Sequence, residues 1–182
     1  MIEARIQEAG GTPRAETAED KAARLSRQMA RDQKVGKFLG SEAGVKRAEE
    51  EVQALFAEIE QKCSRISAAG GKATVGMQRQ ANQPRLCTIF SYGYRVRVWW
   101  ENQVSNTLSY SALNLEMTHK GMLDHTPTQL AEETFKFDGS GPDDVGWRRD
   151  SEDNRRLSTK QMADYCVKLL LDALEREKPW QE

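Results

Sequence analysis

Residues 85–121 read RLCTIFSYGYRVRVWWENQVSNTLSYSALNLEMTHKG. From Phe90 the residues alternate. Phe90, Tyr92, Tyr94, Val96, Val98 and Trp100 share one parity, and Ser91, Gly93, Arg95, Arg97, Trp99 and Glu101 share the other. Successive strand side chains point to opposite faces, so this pattern predicts a long strand with one apolar and one polar face. Its β-branched and aromatic residues suit a pleated, half-buried surface. A turn centred on Ser105-Asn106 leads to a second long strand, with Leu113, Leu115 and Met117 on the apolar parity. That register sets Val98 opposite Leu113, Val96 opposite Leu115, Arg95 opposite Glu116 and Arg97 opposite Asn114. A slip of one residue would turn one apolar face outward.

Working upstream, Ala68-Ala69-Gly70-Gly71 closes a helix that starts at Ser41 or Gly44. Its stripe of Val45, Ala48, Val52, Leu55, Ile59 and Ile66 keeps a three-four spacing, widened by Phe56 and Cys63. Lys62 interrupts the seam, which falls short of a coiled coil. A helix before it starts at Thr17, with Thr17 and Asp20 placed as a capping box. Its apolar stripe is thin (Ala18, Ala22, Leu25, Met29), and Gly36 and Gly40 mark its end. It is basic through Lys21, Arg24, Arg27, Arg31, Lys34 and Lys37, while Glu42, Glu49, Glu50, Glu51, Glu58 and Glu60 make the next helix acidic. The two predict an antiparallel helical hairpin with complementary flanks. Residues 1–16 read as a flexible N-terminal tail.

Downstream, a short strand is expected around Thr74–Gln78 before the long hairpin. Further strands are expected over Thr134–Asp138 and Val145–Arg149, joined by the turn-rich Asp138-Gly139-Ser140-Gly141-Pro142-Asp143-Asp144. Ser158-Thr159-Lys160-Gln161 matches a capping box, and Leu157 with Met162 a hydrophobic staple. The helix they open carries Met162, Tyr165, Cys166, Leu169, Leu170, Ala173 and Leu174 and stops at Lys178-Pro179. The predicted class is α+β: an N-terminal helical hairpin (17–69), then an antiparallel meander of four or five strands with a C-terminal amphipathic helix packed on it (70–182).

Of the 182 residues, 38% are hydrophobic and 30% charged, and mean hydropathy is −0.75. The core is therefore modest for the length, and self-association would supplement it. A net charge of −1 gives no global field for nucleic acid or membrane. Cys63, Cys87 and Cys166 are too scattered for a disulfide framework or a zinc knuckle. No signal-peptide layout opens the chain, and no apolar run nears the roughly 20 residues of a membrane helix. A cytoplasmic location and no membrane association are expected.

Charge distribution supplies the functional hint. Residues 61–100 contain no Asp or Glu but carry Lys62, Arg65, Lys72, Arg79, Arg85, Arg95 and Arg97, and the sign reverses from Glu101 to Val145. Arg95, Arg97 and Trp99 on one strand face combine phosphate-binding guanidinium groups with a ring for base stacking. Arg85 and the first helix, through Arg24 and Arg31, would extend such a nucleic-acid surface. The competing reading pairs these arginines with Glu101 and Glu116 across the strands, and the basic helix with the acidic one.

His119 and His125, near Glu116 and Asp124, are weak metal candidates whose spacing matches no zinc motif. A calcium loop starting at Asp138 fails, with Pro142 at the fifth position and Arg149 at the twelfth. Gly70-Gly71-Lys72-Ala73-Thr74 lacks the first Gly and the hydroxyl residue of a phosphate loop. The cysteines occupy core-facing positions, where thiols are inert, and no Ser sits in a nucleophile elbow. No catalytic residue or cofactor is nominated. The expected function is a non-enzymatic accessory or regulatory module acting by protein-partner binding or self-association. Nucleic-acid binding through the sheet face is the alternative, and an enzyme with an unrecognised site is the third class.

Overall fold

The computed structural model of the chain describes residues 17–69, 74–104, 109–121, 126–149 and 155–177. The element order is α1 (Ala18–Leu39), α2 (Glu42–Ala68), β1 (Gly76–Gln80), β2 (Gln83–Ser91), β3 (Tyr94–Val104), β4 (Ser109–His119), β5 (Thr128–Gly141), β6 (Asp144–Arg149), β7 (Arg156–Leu157) and α3 (Thr159–Glu177). The fold is α+β. Seven strands form one antiparallel sheet in chain order. The tail 1–16, Gly70-Gly71, the turn at Ser105-Asn106, His125 and Lys178-Pro179 lie outside the described residues.

Local signals set the helix boundaries. Thr17 and Asp20 form the expected capping box. Ser41 caps α2 through the Gly44 amide, and Ser158 and Gln161 cap α3 reciprocally. Gly36 does not end α1, which continues to Leu39 with Gly40 as its cap. A lone glycine costs a helix about 1 kcal/mol and does not by itself stop it.

The sheet holds more strands than the four or five expected. The single strand read across residues 90–101 is two strands, because Tyr92 (φ 46°) and Gly93 (φ 83°) make a two-residue turn between β2 and β3. Positive φ at both positions suits the right-handed strand twist, but Asn-Gly or Asp-Gly usually signals it. A Cβ on Gly93 would lie 2.6 Å from the Lys120 carbonyl oxygen. The turn inverts parity upstream, so Cys87, Ile89 and Ser91 face inward and Phe90 faces out. The β3–β4 register differs from the expected one by two residues: Val98 opposes Leu115, Val96 opposes Met117 and Arg97 opposes Glu116. An even shift leaves every side chain on its predicted face.

The inner face carries α2 and α3 side by side. Val52, Leu55, Phe56 and Ile59 of α2 and Met162, Cys166 and Leu170 of α3 are buried against Ile89, Val96, Val98, Leu113, Leu115 and Phe135. Burying one such side chain contributes about 1.5–3 kcal/mol, which holds helices that would be marginal alone. Trp100, Phe137 and Trp147 meet edge to face, with Trp100–Trp147 centroids 5.7 Å apart and Phe137–Trp147 centroids 5.4 Å apart.

α1 buries no residue. After the Gly40 corner it runs along β5 on the outer face, where Arg31 reaches Asp138 at 3.9 Å. The glutamates of α2 pair elsewhere: Glu49 with Arg85, and Glu50 and Glu51 with Arg47. The helical hairpin thus straddles the sheet, and its charges are neutralised by strands as well as within α2.

Cys63, Cys87 and Cys166 are free and buried. Burial pushes the Cys63 thiol up to about 11 and Cys87 to about 12, and the same cause raises Cys166 well above the ordinary thiol value. A protonated, enclosed thiol is a poor nucleophile. The folded protein is expected to leave all three unmodified by Ellman's reagent, whereas the urea-unfolded chain reacts fully. Rapid native-state labelling of any one would contradict this packing.

Candidate functional site

The outer face of β1–β3 carries no closely packed helix among the described residues, while on β4 Ala112 and Asn114 are buried, and the side chains of this face form cross-strand rows. One row runs Thr88, Arg97, Glu116, Glu132, and a second runs Leu86, Trp99, Asn114, Thr134. A third pairs Gly76 with Phe90, Phe90 with Arg95 and Arg95 with Thr118. The face therefore carries Arg95 and Arg97 on β3 beside Glu116 on β4 and Glu132 on β5, with Glu101 further along β3 and Lys136 further along β5. A shallow depression of about 550 Å³ crosses its β1–β3 end, lined by Gln78, Thr88, Phe90, Arg95 and Arg97.

Arg97 donates to Glu116 at 3.1 Å and sits 5.7 Å from the Trp99 ring centre. Trp99 donates its indole N–H to Glu101 at 2.8 Å. The expected register sets Arg95 opposite Glu116, but the partner of Glu116 is Arg97, and Glu101 serves the tryptophan. Arg85 pairs with Glu49 of α2 at 2.5 Å. Arg95 is exposed, and among the described residues no hydrogen bond or ion pair engages it. Phe90 is 41% exposed, yet a Cβ on Gly76 would come within 2.4 Å of its ring. The ring thus shields the glycine backbone across the strand pair. Arg95, Arg97 and Trp99 share one face of β3, and the Tyr92-Gly93 turn brings Phe90, expected on the inner face, out beside them.

The other nominated arginines, Arg24 and Arg31, lie at the far end of the same face. They line a groove of about 410 Å³ between α1 and the strands β6 and β7, together with Arg27, Gln28, Asp32, Arg148 and Arg156. Arg148 pairs with Asp138 and Arg156 with Asp144. Gly146 gives Arg156 its route across β6, since a Cβ there would lie 2.8 Å from the Arg156 Cγ. Hydrogen bonds from Arg156 and Ser140 hold the Asp144 carboxyl well below the usual carboxylate range. Arg148 and Arg156 carried no sequence signal, because only the sheet register brings them beside a helix more than 100 residues upstream.

His119 stacks on Tyr94 with ring centres 4.1 Å apart, and His125 lies outside the described residues. Among the described residues, no group of three or more His, Cys, Asp and Glu could hold a metal ion. No described helix is long and apolar enough to cross a membrane.

No family model, curated protein or solved structure matches this chain.

Proposed function

We propose that the protein is a non-enzymatic accessory or regulatory module that works by self-association through the outer face of β1–β4. The observation that carries this reading is the charge layout of that face, with Arg95 and Arg97 on β3 beside Glu116 on β4 and Glu132 on β5. A two-fold axis running along the strands between β3 and β4 would lay the basic stripe of one protomer on the acidic stripe of the other. Two-fold interfaces require such self-complementarity, and sheets pack face to face with strands nearly aligned. Leu86, Phe90 and Trp99 supply the apolar and aromatic component that interfaces favour. Arg95, exposed and unengaged, finds its carboxylate in the second copy, and Glu132 on the same face is the exposed acid facing that stripe.

Light scattering with size exclusion tests the arrangement. The unaltered protein should be a dimer at micromolar concentration, and Arg95→Glu and Glu132→Arg should each be monomeric. An equimolar mixture of these two variants should dimerise again, because both contacts of the mixed pair then join opposite charges. A strictly monomeric unaltered protein, or variants that stay dimeric, would sink the proposal.

A second reading rests on the same unengaged Arg95 and on Arg97 lying over Trp99: nucleic-acid binding by the open face. A monomer that binds mixed-sequence DNA or RNA, with affinity falling with salt and with Arg95→Glu, would establish this reading in place of the first.

A further inference from the structure

We infer that the groove between α1 and the β6–β7 end of the sheet binds the di- or triphosphate group of a small molecule. Guanidinium groups converge there from two separate elements: Arg24, Arg27 and Arg31 from the helix, and Arg148 and Arg156 from the strands. The carboxylates beside them are Asp32, Asp138 and Asp144. Arg31 and Arg148 share the single carboxylate of Asp138, which Arg31 reaches only at 3.9 Å. Arg27 is exposed and engages no described group. Without Arg24, which makes an interaction of its own, four guanidinium groups still face three carboxylates among the described residues of this concave space, where a bound anion would relieve the mutual repulsion.

Two observations fit a ligand bearing several phosphate oxygens. Guanidinium forks match phosphate oxygens bidentately, and several forks around one cleft suit a ligand bearing several phosphate oxygens. In addition, the Nε–H of Arg148 is buried and finds no acceptor among the described residues, a costly state for a donor. Size and lining favour a small molecule over a strand of nucleic acid. A volume of about 410 Å³ falls in the range of small-ligand sites. Among the described residues, no aromatic side chain lines the groove to stack a base.

The test is isothermal titration of the full chain with inorganic tripolyphosphate at low salt, with orthophosphate, sulfate and a thymidine oligonucleotide as comparators. Arg27→Glu and Arg31→Gln are run alongside, with circular dichroism to verify that both fold. Both positions lie on the exposed helix, away from the core. The expected result is one site per chain, at least tenfold tighter for tripolyphosphate than for orthophosphate or sulfate. Affinity should drop at least tenfold in each groove variant and stay unchanged in Arg95→Glu, which reports on the other patch. No binding at low salt would overturn the inference, as would equal affinity for sulfate or undiminished binding in the folded variants. Tighter binding of the oligonucleotide per phosphate, lost in Arg27→Glu, would also overturn it and assign the groove to nucleic acid.

Discussion

Replacing Trp147 with alanine is expected to destabilise the protein by about 3–5 kcal/mol, the range for removing a fully buried large aromatic. The side chain is 0% exposed and meets Trp100 and Phe137 edge to face. Its indole N–H also donates to the Thr159 hydroxyl at 3.3 Å, tying β6 to the start of α3. Alanine would leave a cavity lined by two rings and remove that tie. Trp147→Phe keeps most of the volume and loses mainly the hydrogen bond, so about 1–2 kcal/mol is expected for it. Urea unfolding measures both, read as a shift in midpoint at unchanged slope. An alanine variant within about 1 kcal/mol of the unaltered protein would mean that the ring cluster does not anchor the core, since core truncations of this size cost several times more.

Two glycine-to-alanine exchanges should give opposite signs. Gly36 lies within α1, and a Cβ there meets nothing within 4 Å. Alanine should stabilise that turn by about 0.5–1 kcal/mol through helix propensity. Gly44 lies in the first turn of α2, and a Cβ there would stand 2.0 Å from the Phe38 carbonyl oxygen and 2.8 Å from its carbon. Those are backbone atoms at the corner between the helices, so nothing flexible can yield. The overpacking cost, about 3 kcal/mol, outweighs the propensity gain, and Gly44→Ala should be net destabilising by about 2 kcal/mol. Thermal melts of the two variants check the signs. A stabilised Gly44→Ala would show that α1 and α2 do not meet as described.

Side-chain parity made the central hairpin legible, and it survived a two-residue error in register. The caps at Thr17 and Ser158 were equally readable, because capping is chemistry within four residues, while the start of α2 stayed open between Ser41 and Gly44. Tyr92-Gly93 escaped because tyrosine rarely occupies a positive φ. The two-residue β7 carries too few residues to show any period. Arg95, Arg97 and Trp99 were found together because they share one strand. The groove at Arg27 and Arg148 was not, since it depends on α1 crossing to the opposite face from α2, and a helix with no buried residue gives no pattern to orient it.

The chain-order meander has a consequence for the chain as it is being made. Each strand leaves the ribosome next to the one it pairs with, so the hairpins can close in sequence. The apolar layer cannot. Its two helices stand at opposite ends of the sheet in sequence, α2 before β1 and α3 after β7. Until α3 emerges, Leu113, Phe135 and their neighbours have only α2 to cover them. Every nascent intermediate therefore displays a half-clad sheet, the kind of surface on which chaperones act, and release from that state waits for the last helix to dock.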